Sequence, residues 1–203
     1  MLDFFYTCFM RKGPIMSHSI LAIDVETANR DSRSICSVGW SLLVDGEIIE
    51  TNQLLVNPEE DFDAGNIRVH GIRPSDVWDA PALPEVLEQL YPTLRDVDLV
   101  MAHNASFDMG AFKKAIAKYD LYTFPTIEYG CTVKLSRKLY PRLPNHKLNT
   151  MAEYLNVPFI HHDAAEDARV CALLMRDMMQ KTGIHDPREL HRYTSVKLGK
   201  LAY

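Results

Sequence analysis

The 203-residue chain has no apolar run of membrane-spanning length, no internal repeat and no low-complexity tract. Its four cysteines, Cys8, Cys36, Cys131 and Cys171, are few and far apart. That spacing argues against a disulfide framework or a cysteine zinc site and fits reduced thiols in a cytoplasmic protein. Positive charge is not in excess either, since the formal net charge is −5. No global field draws the chain to nucleic acid, although local patches can still do so. The N-terminal stretch MLDFFYTCFMRKGPIM lacks the order of a secretory signal, because Arg11-Lys12 follow its short apolar run instead of preceding it. We read residues 1–15 as a weakly ordered extension, 16–182 as one domain, and 183–203 as a tail or short helix.

With 47% hydrophobic residues, the chain can build a sizeable core. Residues 19–26 and 36–44 are apolar runs of strand length. Asp45-Gly46 is a hairpin signal, and EIIETNQLLV follows as a third strand. Residues 57–83, rich in Pro, Asp and Gly, read as loops with short helices. Beyond them, residues 84–95 have helical spacing, 98–103 form a fourth strand and 126–131 a fifth. Further helices are expected over 105–119 (with Asn104 as N-cap), after 131, over 146–155 and over 163–180. Strands first, then strands alternating with helices, predict an α/β domain around a mixed five-stranded sheet flanked by helices.

Carboxylates stand at positions where the pattern calls for apolar side chains. In the first strand Ala22, Asp24 and Glu26 share a face, which spaces the two carboxylates roughly 6–7 Å apart. A strand end emerging into solvent would look the same. Asp108 begins the series Asp108, Ala111, Phe112, Ala115, and Asp167 begins the series Asp167, Cys171, Leu174, Met178. Both series have helical spacing, so each aspartate lies in line with an apolar stripe. The helix dipole alone would favour an acid in a first turn. No lysine or arginine lies on the Asp167 stripe to compensate a buried charge. If Asp24, Glu26, Asp108 and Asp167 converge, their mutual repulsion calls for hard divalent cations, Mg²⁺ or Mn²⁺, and two such ions would serve in-line phosphoryl chemistry.

These residues resemble the three motifs of the DEDDh, or DnaQ-like, 3′–5′ exonucleases. The first is Asp24-Val25-Glu26-Thr27, the second His103-Asn104-Ala105-Ser106-Phe107-Asp108, and the third His162-Asp163-Ala164-Ala165-Glu166-Asp167-Ala168. Val69-His70-Gly71-Ile72 and His146-Lys147-Leu148 also look like family elements, and the likeness spans about residues 18–182. It implies a ribonuclease H-like fold and metal-dependent hydrolysis that releases mononucleotides from 3′ ends. It assigns two divalent ions, Mg²⁺ or Mn²⁺, to Asp24, Glu26, Asp108 and Asp167. His162 becomes the general base, and Thr27, His70 and Phe107 hold the terminal nucleotide. His161 fits no motif position and is expected to face solvent or cap the helix.

Between Lys113 and Lys147 eight basic residues face only Asp120 and Glu128, a local patch that could track phosphates or simply solvate helix faces. The substrate expected is single-stranded or 3′-terminal nucleic acid, DNA ahead of RNA, in proofreading or repair. A polymerase or a second copy of the chain is a candidate partner, and no membrane is implied. An RNA-trimming exoribonuclease and a non-catalytic module binding nucleic-acid ends or a polymerase are the alternatives.

Overall fold

The computed structural model describes residues 18–121 and 124–202. The segment 1–15, read above as an extension, lies outside the described residues. Three antiparallel strands come first: β1 (Ser19–Thr27), β2 (Ile35–Val44) and β3 (Glu47–Leu55). Asp45 and Gly46 form the β2–β3 turn with φ of 50° and 85°, the left-handed pair such a hairpin requires. A short helix, α1 (Ala64–His70), and a single 3₁₀ turn fill the Pro- and Asp-rich stretch, and α2 (Leu83–Asp96) follows. Next come β4 (Leu99–Ala102), α3 (Ser106–Lys118), β5 (Ile127–Cys131) and α4 (Thr132–Leu139). The chain closes with α5 (Leu148–Leu155), α6 (Ala164–Thr182), α7 (Pro187–Thr194) and β6 (Gly199–Leu201).

The sheet order is β3-β2-β1-β4-β5-β6. β4 pairs with β1 and β5 in parallel, and β6 returns antiparallel to β5. Among the described residues the sheet therefore has six strands, where the sequence pattern predicts five. β6 is only three residues long and contains a glycine, too little for a period-2 signal. Its place is set by pairing, Ile127 opposite Leu201 and Tyr129 opposite Gly199. The preceding α7 is locked by buried His191, whose Nδ1–H donates to the Val196 carbonyl at 3.0 Å.

Alternation along β1 splits the core in two. Leu21, Ile23 and Val25 pack with Val86 and Leu90 of α2 and Phe112 of α3. Ile20 and Ala22 pack on the opposite face with Cys171, Leu174 and Met178 of α6. Asp24 and Glu26 thus leave the sheet on the α6 side. Gly39 of β2 lies beside Asp24 in register. A Cβ there would stand 2.1 Å from the Ala164 backbone, so only glycine lets the α6 N-terminus reach the sheet. One local expectation fails. Asn104 is not the N-cap of α3. It turns left-handed, with φ of 68°, and its carbonyl accepts from the Phe107 N–H. Ala105 holds the cap position, and no side chain caps the helix. Asparagine tolerates that conformation, and the sharp strand-to-helix turn needs it.

Candidate active site

β1 delivers Asp24 and Glu26, and the first turn of α6 delivers Asp167. Their carboxylate oxygens lie within 4.8 Å of one another. Asp108, in the first turn of α3, is 1% exposed and lines the same cavity. It is not among those three. Instead its Oδ1 accepts the Val25 N–H at 3.2 Å, which ties α3 to β1 beside Asp24. Burial, then the charges of Asp108, Asp167 and Glu26, hold Asp24 well above the usual carboxylate range. Burial, followed by Asp167 and Asp108, pushes Glu26 up to about 8. Burial raises Asp108 and Asp167 as well. No lysine or arginine pairs with any of the four among the described residues. An all-oxygen set that resists its own ionisation fits a hard divalent cation, which would relieve desolvation and repulsion together. The cluster is therefore an acidic group suited to metal, as the family's chemistry requires.

The two histidines stand at this cluster together. His162 Nδ1 lies 3.9 Å from Glu26 Oε1. Burial, then the neighbouring His161 and His70, lowers its pKa, which favours the neutral ring. His161 is exposed, as expected, but it does more than face solvent, and it does not cap α6. Asp163 caps that helix, accepting the Glu166 N–H at 3.0 Å. One edge of the His161 ring stays open to solvent, while its Nδ1–H reaches Asp167 Oδ2 at 3.2 Å and Oδ1 at 3.3 Å. Motif register places residues along the chain and says nothing of where a ring points. Here His162 has a left-handed backbone, φ 68°, and the two rings stack at 3.8 Å and 17°.

The remaining expected residues line one cavity of about 790 Å³ together with the carboxylates and both histidines. Thr27 is buried at the end of β1, and Phe107 is 46% exposed, presenting its ring to the opening. His70 accepts from the Ile72 N–H at Nδ1, so its proton sits on Nε2 and is donated to the Thr27 carbonyl at 3.2 Å. Sequence reasoning gave no role to Asn66. It sits one turn before His70, and its Nδ2 donates to the Thr27 carbonyl at 2.8 Å. His103, quoted with the second motif but given no role, proves structural. Burial drops its pKa to about 4, so the ring is neutral. Its Nε2–H donates to the His146 carbonyl at 3.0 Å, and its Nδ1 accepts from Thr132 at 2.8 Å. That strut fixes the segment before α5 against α4. Two cations on this side of the cavity, Arg137 and Lys147, have no acidic partner among the described residues.

The family described as "RNase_T: Exonuclease" matches residues 21–175. The chain is 33% identical over 177 residues to a DNA polymerase III PolC-type from Caldanaerobacter subterraneus subsp. tengcongensis, a match covering 84% of this chain and 12% of that protein. The corresponding protein of Bacillus subtilis is 32% identical over 167 residues, covering 79% of this chain and 11% of that protein. The chain thus spans about an eighth of the length of these relatives. Among solved structures, exonuclease X in complex with 5′-overhanging duplex DNA superposes with a TM-score of 0.64 at 25% identity, over 81% of this chain and 93% of that one. Exonuclease I superposes with a TM-score of 0.70 at 14% identity, over 87% of this chain and 43% of that one, a likeness of fold alone. The fold is the ribonuclease H-like one that the motifs implied. The match over most of the chain, on residues that build one acidic cavity, makes this protein a member of the exonuclease family.

Proposed function

We propose that the chain hydrolyses the terminal phosphodiester at the 3′ end of DNA and releases mononucleotides. The observation carrying this reading is the meeting of Asp24, Glu26 and Asp167 within 4.8 Å, in one cavity with Asp108 and His162. Asp24, Glu26, Asp108 and Asp167 would hold one or two divalent cations, Mg²⁺ or Mn²⁺, which when bound make water more acidic and offset charge on the phosphate. His162, neutral and half-exposed beside Glu26, accepts the proton of the attacking water. Phe107 offers its exposed ring to the terminal base or sugar. Thr27, pinned by Asn66 and His70, forms the wall against which that nucleotide ends. Arg137 and Lys147 meet the phosphates that follow.

DNA is favoured over RNA by the polymerase relatives and by the duplex-DNA complex of exonuclease X. Those relatives also motivate a polymerase as the partner in proofreading or repair. The deciding experiment offers single-stranded DNA, duplex DNA and RNA, each labelled at 3′ or 5′, with Mg²⁺, Mn²⁺ or chelator. The expected result is early release of 3′-labelled mononucleotides from DNA, absent with chelator and on substrates blocked at the 3′ terminus. Internal cuts, 5′ release or faster turnover of RNA would overturn the corresponding part of this reading.

A further inference from the structure

We infer that His161 is a positioning residue of this site, holding the Asp167 carboxylate and the His162 ring at the same time; the inference rests on the exonuclease reading of those two residues. Adjacent side chains on extended backbone point to opposite sides. Here the left-handed turn at His162 brings two consecutive rings to one side, stacked at 3.8 Å. A non-glycine residue in that conformation is strained and persists only where its surroundings hold it. Three contacts do so. The His161 Nδ1–H spans both oxygens of Asp167, the His162 backbone N–H donates to Asp167 Oδ2 at 3.2 Å, and the Phe159 ring lies tilted beside His161 at 5.5 Å between ring centroids.

The geometry gives His161 two separable tasks. Its N–H aims the carboxylate of Asp167, as outer hydrogen bonds aim the ligands of metal sites. Its ring face limits the rotation of His162 and keeps that imidazole near Glu26. Asp167 has no lysine or arginine to do the first task among the described residues, and Arg169 is occupied by Glu166 at 2.6 Å. The loop side chain therefore supplies the N–H that a lysine or arginine would otherwise give.

Two substitutions divide the tasks. In His161→Asn the amide can keep an N–H near the place of Nδ1 but loses the ring. In His161→Phe the stack stays and the donor goes. Mn²⁺ affinity by calorimetry reads the first task, and the His162 ring proton shifts in NMR read the second. His161→Ala should weaken Mn²⁺ binding and lower kcat by about 10–100-fold, the usual effect of removing an outer hydrogen bond at a metal site. It should also move the His162 resonances downfield as the ring current is lost. His161→Asn should recover Mn²⁺ affinity without the upfield shift, and His161→Phe should do the reverse. Mn²⁺ affinity and His162 shifts unchanged in His161→Ala would overturn the inference. Asp167→Asn serves as the control. Full activity there would remove the exonuclease reading of Asp167, while the shifts and affinities would still decide what His161 does.

Discussion

At the residue scale, the decisive property of the site is that its carboxylates are gathered out of solvent with no lysine or arginine paired to them among the described residues. Glu26 shows the consequence. Its folded pKa of about 8 lies above its ordinary 4.5, so the protonated form favours the fold. That contribution is fully present below about pH 4.5 and is lost as pH rises through about 8. His103 works in the opposite sense, but its share is complete above about pH 6.5. In chelator, the Tm should therefore fall between about pH 6.5 and pH 8.5. Glu26→Gln should flatten the fall, and Mg²⁺ should reverse it. A chelated protein whose Tm is constant over this window would show that the carboxylates do not repel as described. A second test concerns His162. Its replacement by alanine should cost about 10²–10⁴-fold in kcat, the range for a general base. The wild-type rate should rise along an acid limb centred below the ordinary 6.5, because burial and His161 depress the ring, and His162→Ala should lack that limb.

At the element scale, α6 is the part most exposed to small changes. Its first turn carries Asp167, and it can approach the sheet only because position 39 has no side chain. Gly39→Ala should cost about 1–3 kcal/mol, as overpacking does, and should lower activity out of proportion to its distance from the reacting atoms. Retained Tm with retained kcat would mean that the helix end can yield freely. The same element shows what a sequence can and cannot disclose. The helix and its inward stripe from Asp167 to Met178 follow from spacing and residue type, whereas its cap at Asp163 is not anticipated. The strands β1 to β5 follow too, since their alternation and hairpin signal are strong. Neither β6 nor the ring of His161 could be read. The first is three residues long and is placed by pairing with β5, about seventy residues earlier in the chain. The second depends on a single left-handed dihedral at His162, where residue type gave no warning. Asn104 makes the same point from the other side, since its propensity to cap was outweighed by the turn that leaves β4.

At the scale of the whole molecule, the proposed activity asks a chain of net charge −5 to hold a polyanion. Of the eight basic residues between Lys113 and Lys147, only Arg137 and Lys147 line the cavity at its edge. Lys118 is tied to Glu60 at 3.0 Å, and Lys114 to Ser32 at 3.1 Å. Each cation that meets a phosphate contributes about 0.7 to the slope of log K against log salt for single strands. Arg137→Ala and Lys147→Ala together should therefore reduce that slope by about 1.4. Lys114→Ala and Lys118→Ala should leave it nearly unchanged. Equal effects from both pairs, measured by fluorescence anisotropy of an oligonucleotide across a salt series, would return the patch to an ordinary solvated surface.

The division of the core by the sheet has a kinetic corollary. Asp108 is anchored on the α3 layer, while Asp167 arrives with the α6 layer, near the other end of the chain from Asp24. Contacts so distant in sequence close late, after local helices and the β1–β3 hairpins have formed. Metal capture should then be among the last events of refolding, lagging the recovery of helical circular dichroism. On a ribosome, the residues preceding α6 would emerge with an incomplete acidic pocket, which closes only when α6 has docked.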